Sequence, residues 1–358
     1  MSNNEIITPD SPNLGALCTQ LSEMSGSLQS AADWPGQQLQ KCADHAVFRW
    51  FIAQEQGGFG WSGDDVVRGY IELSAACLTT TFVITQRTGA CRRIASSENE
   101  DLKAKLLPDL LAGKTFATVG ISHLTTSRQH LKKPVLLATE ADGGYLLDGY
   151  SPWVTGAKAA DTLVIGASME DGRQLLLAIP TTVSGLEAGE PAELVGLSAS
   201  QTGPVNFQQV FCPAEWVLDG PREDVMKRGS GANTGGLETS TLAVGLSTAA
   251  YRFLVEQREK RSEFAQPTER FEAELDSLKN DLIAAAAGTP SCDPMQIRTR
   301  ANSLVLRITQ AALSSAKGAG YLQSHPVGRW CREALFFLVW SCPANVLSAN
   351  LCELAKIE

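Results

Sequence analysis

Gly144-Tyr-Leu-Leu-Asp-Gly149, Trp153-Val-Thr-Gly156 and Ala160-Asp161 stand close together near the middle of a 358-residue chain. They begin directly after Asp142-Gly143, and Asp-Gly beside an apolar run is a strong hairpin signal, because glycine takes positive φ without steric cost. Short β-type runs surround them: Val135–Thr139, Tyr145–Leu147, Thr162–Ala167, Leu175–Ile179 and Val205–Phe211, with a second turn at Asp171-Gly172. The chain from about 116 to 220 therefore reads as a β unit. On strand placement alone, Trp153 is a core aromatic and Thr155 an ordinary strand threonine.

Toward the N-terminus the period changes. Apolar residues recur at three- and four-residue spacing in Leu14–Leu28 and in Val66–Cys77, as amphipathic helices require. The Gly-rich turn Gln56-Gly-Gly-Phe-Gly-Trp61 interrupts them, and Ser62 or Asp64 is placed to cap the helix that follows. Glu100–Gly113 reads as two short helices, the second closed by Gly113. Toward the C-terminus a Gly-rich linker, Gly229–Gly236, leads to four long helical stretches: Thr241–Arg261, Arg270–Ala287, Pro294–Lys317 and Val327–Trp340. Four such helices predict a bundle. The expected fold class is α+β, mainly α, in three domains: helical over 1–116, a β-barrel or sandwich over 117–225, and a four-helix bundle over 226–358.

Composition narrows the function. A net charge of −9 and the lack of any Lys/Arg run argue against nucleic acid or an anionic membrane surface as partner. The N-terminus, MSNNEIITPDSPN, has neither the positive start nor the apolar stretch of a secretory signal, which places the chain in the cytoplasm. The most apolar run, Ala334–Trp340, is far short of the roughly twenty residues of a membrane span and reads as a buried helix face. Nine cysteines and four histidines are scattered without C-x-x-C or zinc-site spacing, so neither a disulfide framework nor a metal centre is expected.

Helices, a β unit and a helical bundle, in that order, resemble the acyl-CoA dehydrogenase family over nearly the whole chain. Gly57-Gly-Phe-Gly60 is similar to the family's G-G-x-G, and Lys105–Lys114 to its K-x-x-L-P-x-L-A-x-G-E segment. The central stretch is the most specific match, to G-Y-x-L-N-G … W-I-T-N-G … A-D. By that resemblance Trp153 lies against a flavin ring and the Thr155 hydroxyl donates near the reactive flavin nitrogen. Arg261-Ser-Glu-Phe-Ala-Gln-Pro267 resembles R-x-x-F-G-x-P, whose Arg and Phe reach the FAD of a neighbouring subunit. This implies FAD contacts at Arg261 and Phe264 and a homodimer or homotetramer; a guanidinium fork suits a pyrophosphate and an aromatic ring suits adenine.

Other segments depart from the family. Ser122–His130 stands where the family has T-E-P-x-A-G-S-D and keeps only hydroxyls. Ser122 replaces the Thr, and one of Thr125, Thr126 or Ser127 the later Ser. Near the C-terminus Ser314 and Lys317 stand where the family has Gln and the first Gly, while Gly318 is retained as a cofactor contact. The family's proton-abstracting Glu falls at Ser341, and an unactivated hydroxyl is a far poorer base than a carboxylate. Cys342 beside it has no His or Lys in sequence to activate it as a nucleophile. Relatives that carry the Glu on the first bundle helix would place it near Gly235. Glu238, nearly one turn on, is the nearest carboxylate, although a Glu at a helix start also serves the helix dipole without any chemistry.

Three functions follow in order. The first is a flavin-dependent oxidoreductase acting on a small molecule, an acyl-CoA or similar carbon acid, with Glu238 as substitute base. The second is a flavin monooxygenase or oxidase on the same fold. The third is a catalytically inactive binding protein. FAD is the expected cofactor, with FMN or none as alternatives.

Overall fold

Ser62 accepts a hydrogen bond from the Asp65 amide at 3.4 Å and so starts the helix Gly63–Ala76, with Asp64 and Asp65 favourably placed in its first turn. It is the third of the N-terminal helices: α1 Pro12–Met24, α2 Gly36–Asp44, α3 Gly63–Ala76, α4 Leu78–Ala95 and α5 Glu100–Leu111. The computed structural model describes residues 4–125, 134–227 and 237–357. Thr126, Ser127, His130, Gly235 and the rest of the Gly-rich linker lie outside the described residues.

The Gln56–Trp61 turn is held by close backbone approach. A Cβ at Gly58 would sit 1.8 Å from the Ile52 carbonyl oxygen, so only glycine fits. Beyond the turn, Trp61 stacks on buried Trp50 with ring centroids 4.1 Å apart. α5 is one helix with Pro108 inside it, not two, and Gly113 follows it at φ +69. α4 buries fifteen of its 18 residues, polar ones included. Arg87 lies under the Phe48 ring at 3.7 Å and donates to the Leu110 carbonyl, tying α4 to α5.

Among the described residues eight strands form one hydrogen-bonded sheet: β1 Ala117–Gly120, β2 Leu136–Ala141, β3 Gly144–Thr155, β4 Thr162–Ser168, β5 Gln174–Pro180, β6 Leu186–Ala188, β7 Thr202–Pro213 and β8 Val217–Arg222. The order is β6-β7-β3-β2-β4-β5-β8, with β1 parallel to β4. A four-residue helix, α6 Ser122–Thr125, follows β1. The two Asp-Gly turns close the β2–β3 and β4–β5 hairpins. Gly156 ends β3 at φ +66, where a Cβ would meet the Trp34 ring at 2.4 Å, so the end of the central motif is packed onto the N-terminal helices.

The remaining helices are α7 Leu237–Lys260, α8 Ala265–Ala286, α9 Pro294–Gly320, α10 Pro326–Ala334 and α11 Ala344–Ala355. α7 to α10 share a core with α3 and α4 through Leu242, Leu246, Leu278, Leu304 and Phe82. The apolar run Ala334–Trp340 is not the buried helix face its composition predicts. It leaves α10 as a 3-10 turn, with Phe337 buried, Leu335 43% exposed and Val339 76% exposed. Among the described residues no helix is long and apolar enough to cross a membrane.

Candidate functional site

Where α3, α4 and α7 meet the β1 and β3 edge of the sheet, they enclose a cavity of about 930 Å³. Val66, Val67, Phe82, Leu242 and Phe336 give it apolar walls. That volume suits a cofactor together with part of a substrate.

Ser122, Thr125 and Trp153 line one part. Ser122 Oγ is buried without a hydrogen-bond partner among the described residues, which is costly unless a ligand meets it. Thr125 Oγ1 donates to the Ser122 carbonyl at 3.1 Å, closing the short α6 turn. Beside them His123 donates from Nε2 to the Gly166 carbonyl at 2.7 Å, and burial lowers its pKa, so the imidazole is neutral with a bare Nδ1. Trp153 is 42% exposed, a large apolar face turned to the cavity. Thr155 lies one layer back: its Oγ1 is 2.8 Å from Thr202 Oγ1, which is 2.9 Å from Ser200 Oγ. Thr202, not Thr155, lines the cavity.

Ser341 and Cys342 form another part of the wall, on the loop after the 3-10 turn. Ser341 has φ +45, a left-handed conformation unusual for a residue with a side chain. The loop is held from behind by Arg298, which donates to the Trp340 carbonyl at 2.9 Å. Burial raises the Cys342 pKa while Arg298 pulls it down, so the group stays a thiol.

Glu238, in the first turn of α7, also lines the cavity and receives Arg92 Nη1 of α4 at 3.1 Å. Burial pushes its carboxyl above the usual range, with Arg92 and Arg93 partly holding it back. Arg93, only 7% exposed, donates to the Gly89 carbonyl at 2.9 Å, and burial brings its pKa down to about 10. Among the described residues Arg92, Arg93 and Glu238 are the charged groups that line the cavity.

Arg261, Phe264 and Gly318 are elsewhere. Arg261 Nη2 donates to the Ser315 carbonyl at 2.8 Å, and its guanidinium stands 4.5 Å from the Phe264 ring centre. Gly318 is open, with nothing near an added Cβ, beside Lys317 at φ +55 and ψ −147. Within one chain Arg261 and Phe264 pack together against the last turns of α9, which carries Gly318, and none of the three lines the cavity. Sequence reading thus brought Ser122, Thr125, Trp153, Glu238 and Ser341 to one cavity and missed Arg92, Arg93 and Thr202. The arginines close a helix with no polar face, so periodicity gave them no distinct side to occupy.

A helical front, a single eight-stranded sheet and a helical bundle around one large cavity define the acyl-CoA dehydrogenase type of flavoprotein fold. No protein-family model matches the chain. It is 21% identical over 335 residues to the short-chain-specific acyl-CoA dehydrogenase of Clostridium acetobutylicum, covering 88% of each chain. The structure of butyryl-CoA dehydrogenase from Megasphaera elsdenii matches at a TM-score of 0.80 and 18% identity over 96% of both chains. KijD3, solved with FMN and dTDP-3-amino-2,3,6-trideoxy-4-keto-3-methyl-D-glucose, matches at a TM-score of 0.74 and 19% identity over 99% of this chain and 97% of that one. The chain shares the acyl-CoA dehydrogenase fold and resembles curated acyl-CoA dehydrogenases over most of its length.

Proposed function

We propose that this chain is a flavin-dependent oxidoreductase that removes hydrogen from adjacent carbons of an acyl thioester or similar carbon acid, with Glu238 as the base. The observation that carries the reading is that Glu238 shares one cavity with Ser122, Thr125 and Trp153, the positions at which the family resemblance places a flavin. The orphaned Ser122 hydroxyl and the exposed Trp153 face fit the ring half of FAD. Arg261, Phe264 and Gly318 would hold the remainder, as a neighbouring copy's site in a homo-oligomer. Bound in the cavity, FAD supplies the two-electron acceptor.

The protein's own part is to hold and move a proton. The Glu238 carboxylate accepts it from the carbon next to the carbonyl. Its raised pKa suits that task, since a base is most effective when its pKa approaches working pH. Ser341, on the loop where family members carry their base, has no comparable proton affinity and shapes the wall instead. The first test is the visible absorption spectrum of the purified protein, then anaerobic titration with acyl thioesters. Bound FAD that acyl thioesters bleach, with the rate cut about a hundredfold or more in Glu238→Gln, is the expected result. An unchanged rate in that variant removes Glu238 from the chemistry.

A monooxygenase or oxidase reading is favoured by one observation, the ion pair that ties Glu238 to Arg92. It expects flavin reduced by an external reductase and indifferent to acyl thioesters. Colourless protein that neither FAD nor FMN reconstitutes would favour a binding protein without catalysis.

A further inference from the structure

The charged end of the cavity is unbalanced. Arg92 and Arg93 both line it, and Glu238 is the one carboxylate there among the described residues. The cavity end therefore carries a net positive charge whether Glu238 is ionised or protonated. Arg92 uses Nη1 for Glu238, and no other acceptor among the described residues is bonded to its fork. Arg93 is 7% exposed and meets a single backbone carbonyl, that of Gly89. One carboxylate is shared between two neighbouring guanidiniums, of which Arg93 is buried and Arg92 part-exposed, so an anion entering here meets positive charge that Glu238 alone does not balance. The neighbouring walls, Val66, Val67 and Leu242, offer no competing charge.

We infer that Arg92 and Arg93 form a carboxylate subsite, and that the ligand this cavity prefers is an acyl group ending in a carboxylate. The planar fork of Arg92 matches a carboxylate through two parallel donors, which sets carboxylate apart from a purely apolar chain end. Glu238 on Nη1 and the ligand on the remaining edge of the same guanidinium are geometrically compatible. The thioester half of this ligand rests on the reading proposed above; the anion half does not.

The test is calorimetric titration of the full chain with adipyl-CoA and hexanoyl-CoA, which share a six-carbon acyl chain and differ at its end, together with free adipate against adipamide. Adipyl-CoA is expected to bind about tenfold tighter than hexanoyl-CoA, or more, as one charge-assisted contact allows. In Arg92→Met that preference should fall to within about twofold, and in Glu238→Gln, where the competing carboxylate is gone, it should grow. Arg92→Lys keeps the charge and loses the fork, and an intermediate preference there supports the subsite if the Met variant does not fold. Binding of adipate but of neither thioester would keep the subsite and overturn the thioester reading. Equal affinity for the two thioesters, a preference that survives Arg92→Met, or no binding of any of the four probes overturns the inference.

Discussion

At the scale of single residues, the proposed function makes the Glu238–Arg92 pair the source of the pH dependence. Burial raises the Glu238 pKa and Arg92 opposes that rise. A base must be deprotonated to act, so substrate-driven flavin reduction is expected to climb with pH through a value above the ordinary carboxylate range. Arg92→Met removes the opposing charge, and the rising limb should move to higher pH; stopped-flow reduction across a pH series reads it directly, and a limb that stays put would show that another group titrates. Glu238 was legible in the sequence as the nearest carboxylate to a place where relatives carry one. Its partner was not, because the pairing spans 146 residues and nothing local to Arg92 announces it. Thr155 shows the opposite limit: the motif named the strand correctly, yet Thr202, its neighbour on β7, is the hydroxyl that reaches the cavity.

At the scale of elements, α9 and its links carry two expectations. Lys317 interrupts α9 at φ +55 and ψ −147, a region that side chains avoid and glycine tolerates. Lys317→Gly should stabilise the protein by about 1 kcal/mol in urea unfolding. Asp281 on α8 accepts from Ser291 and is paired with Arg300 of α9, and the Ser291 hydrogen bond followed by Arg300 holds its pKa below the usual value. A depressed carboxyl stabilises the fold above its unfolded pKa, and that contribution fades as pH falls through its folded pKa. Asp281→Asn is therefore expected to lower the melting temperature at neutral pH and to lose that effect in acid. Elements with strong local signals were legible: the Asp-Gly hairpins, the Ser62 cap and the long helices α7 to α9. β1 was missed because all four residues are buried, which leaves no alternation to read. Pro108 suggested a break that α5 does not make.

For the whole molecule, the three-part order was legible because the hydrophobic period switches twice along the chain, whereas the cavity, which segments far apart in the chain assemble, could be approached only through motif resemblance. The outer face of α11 bears Leu347, Leu351 and Leu354 at four- and three-residue spacing, exposed by 48%, 58% and 60%, with Ile357 beyond at 64%. Such a stripe on a surface helix favours self-association. Sedimentation is expected to show a dimer or tetramer that Leu351→Lys shifts toward smaller species; an unaltered assembly would place the contact elsewhere. The same architecture bears on how the protein can diversify. Arg92 and Arg93 belong to α4, where a substitution at almost any position meets packed neighbours on every side. Ser341 and Cys342 sit on a loop next to exposed Val339. Descendants of this chain should therefore find it easier to exchange the groups on that loop than to relocate the arginines, so that new chemistries would arise around an inherited taste for acidic ligands.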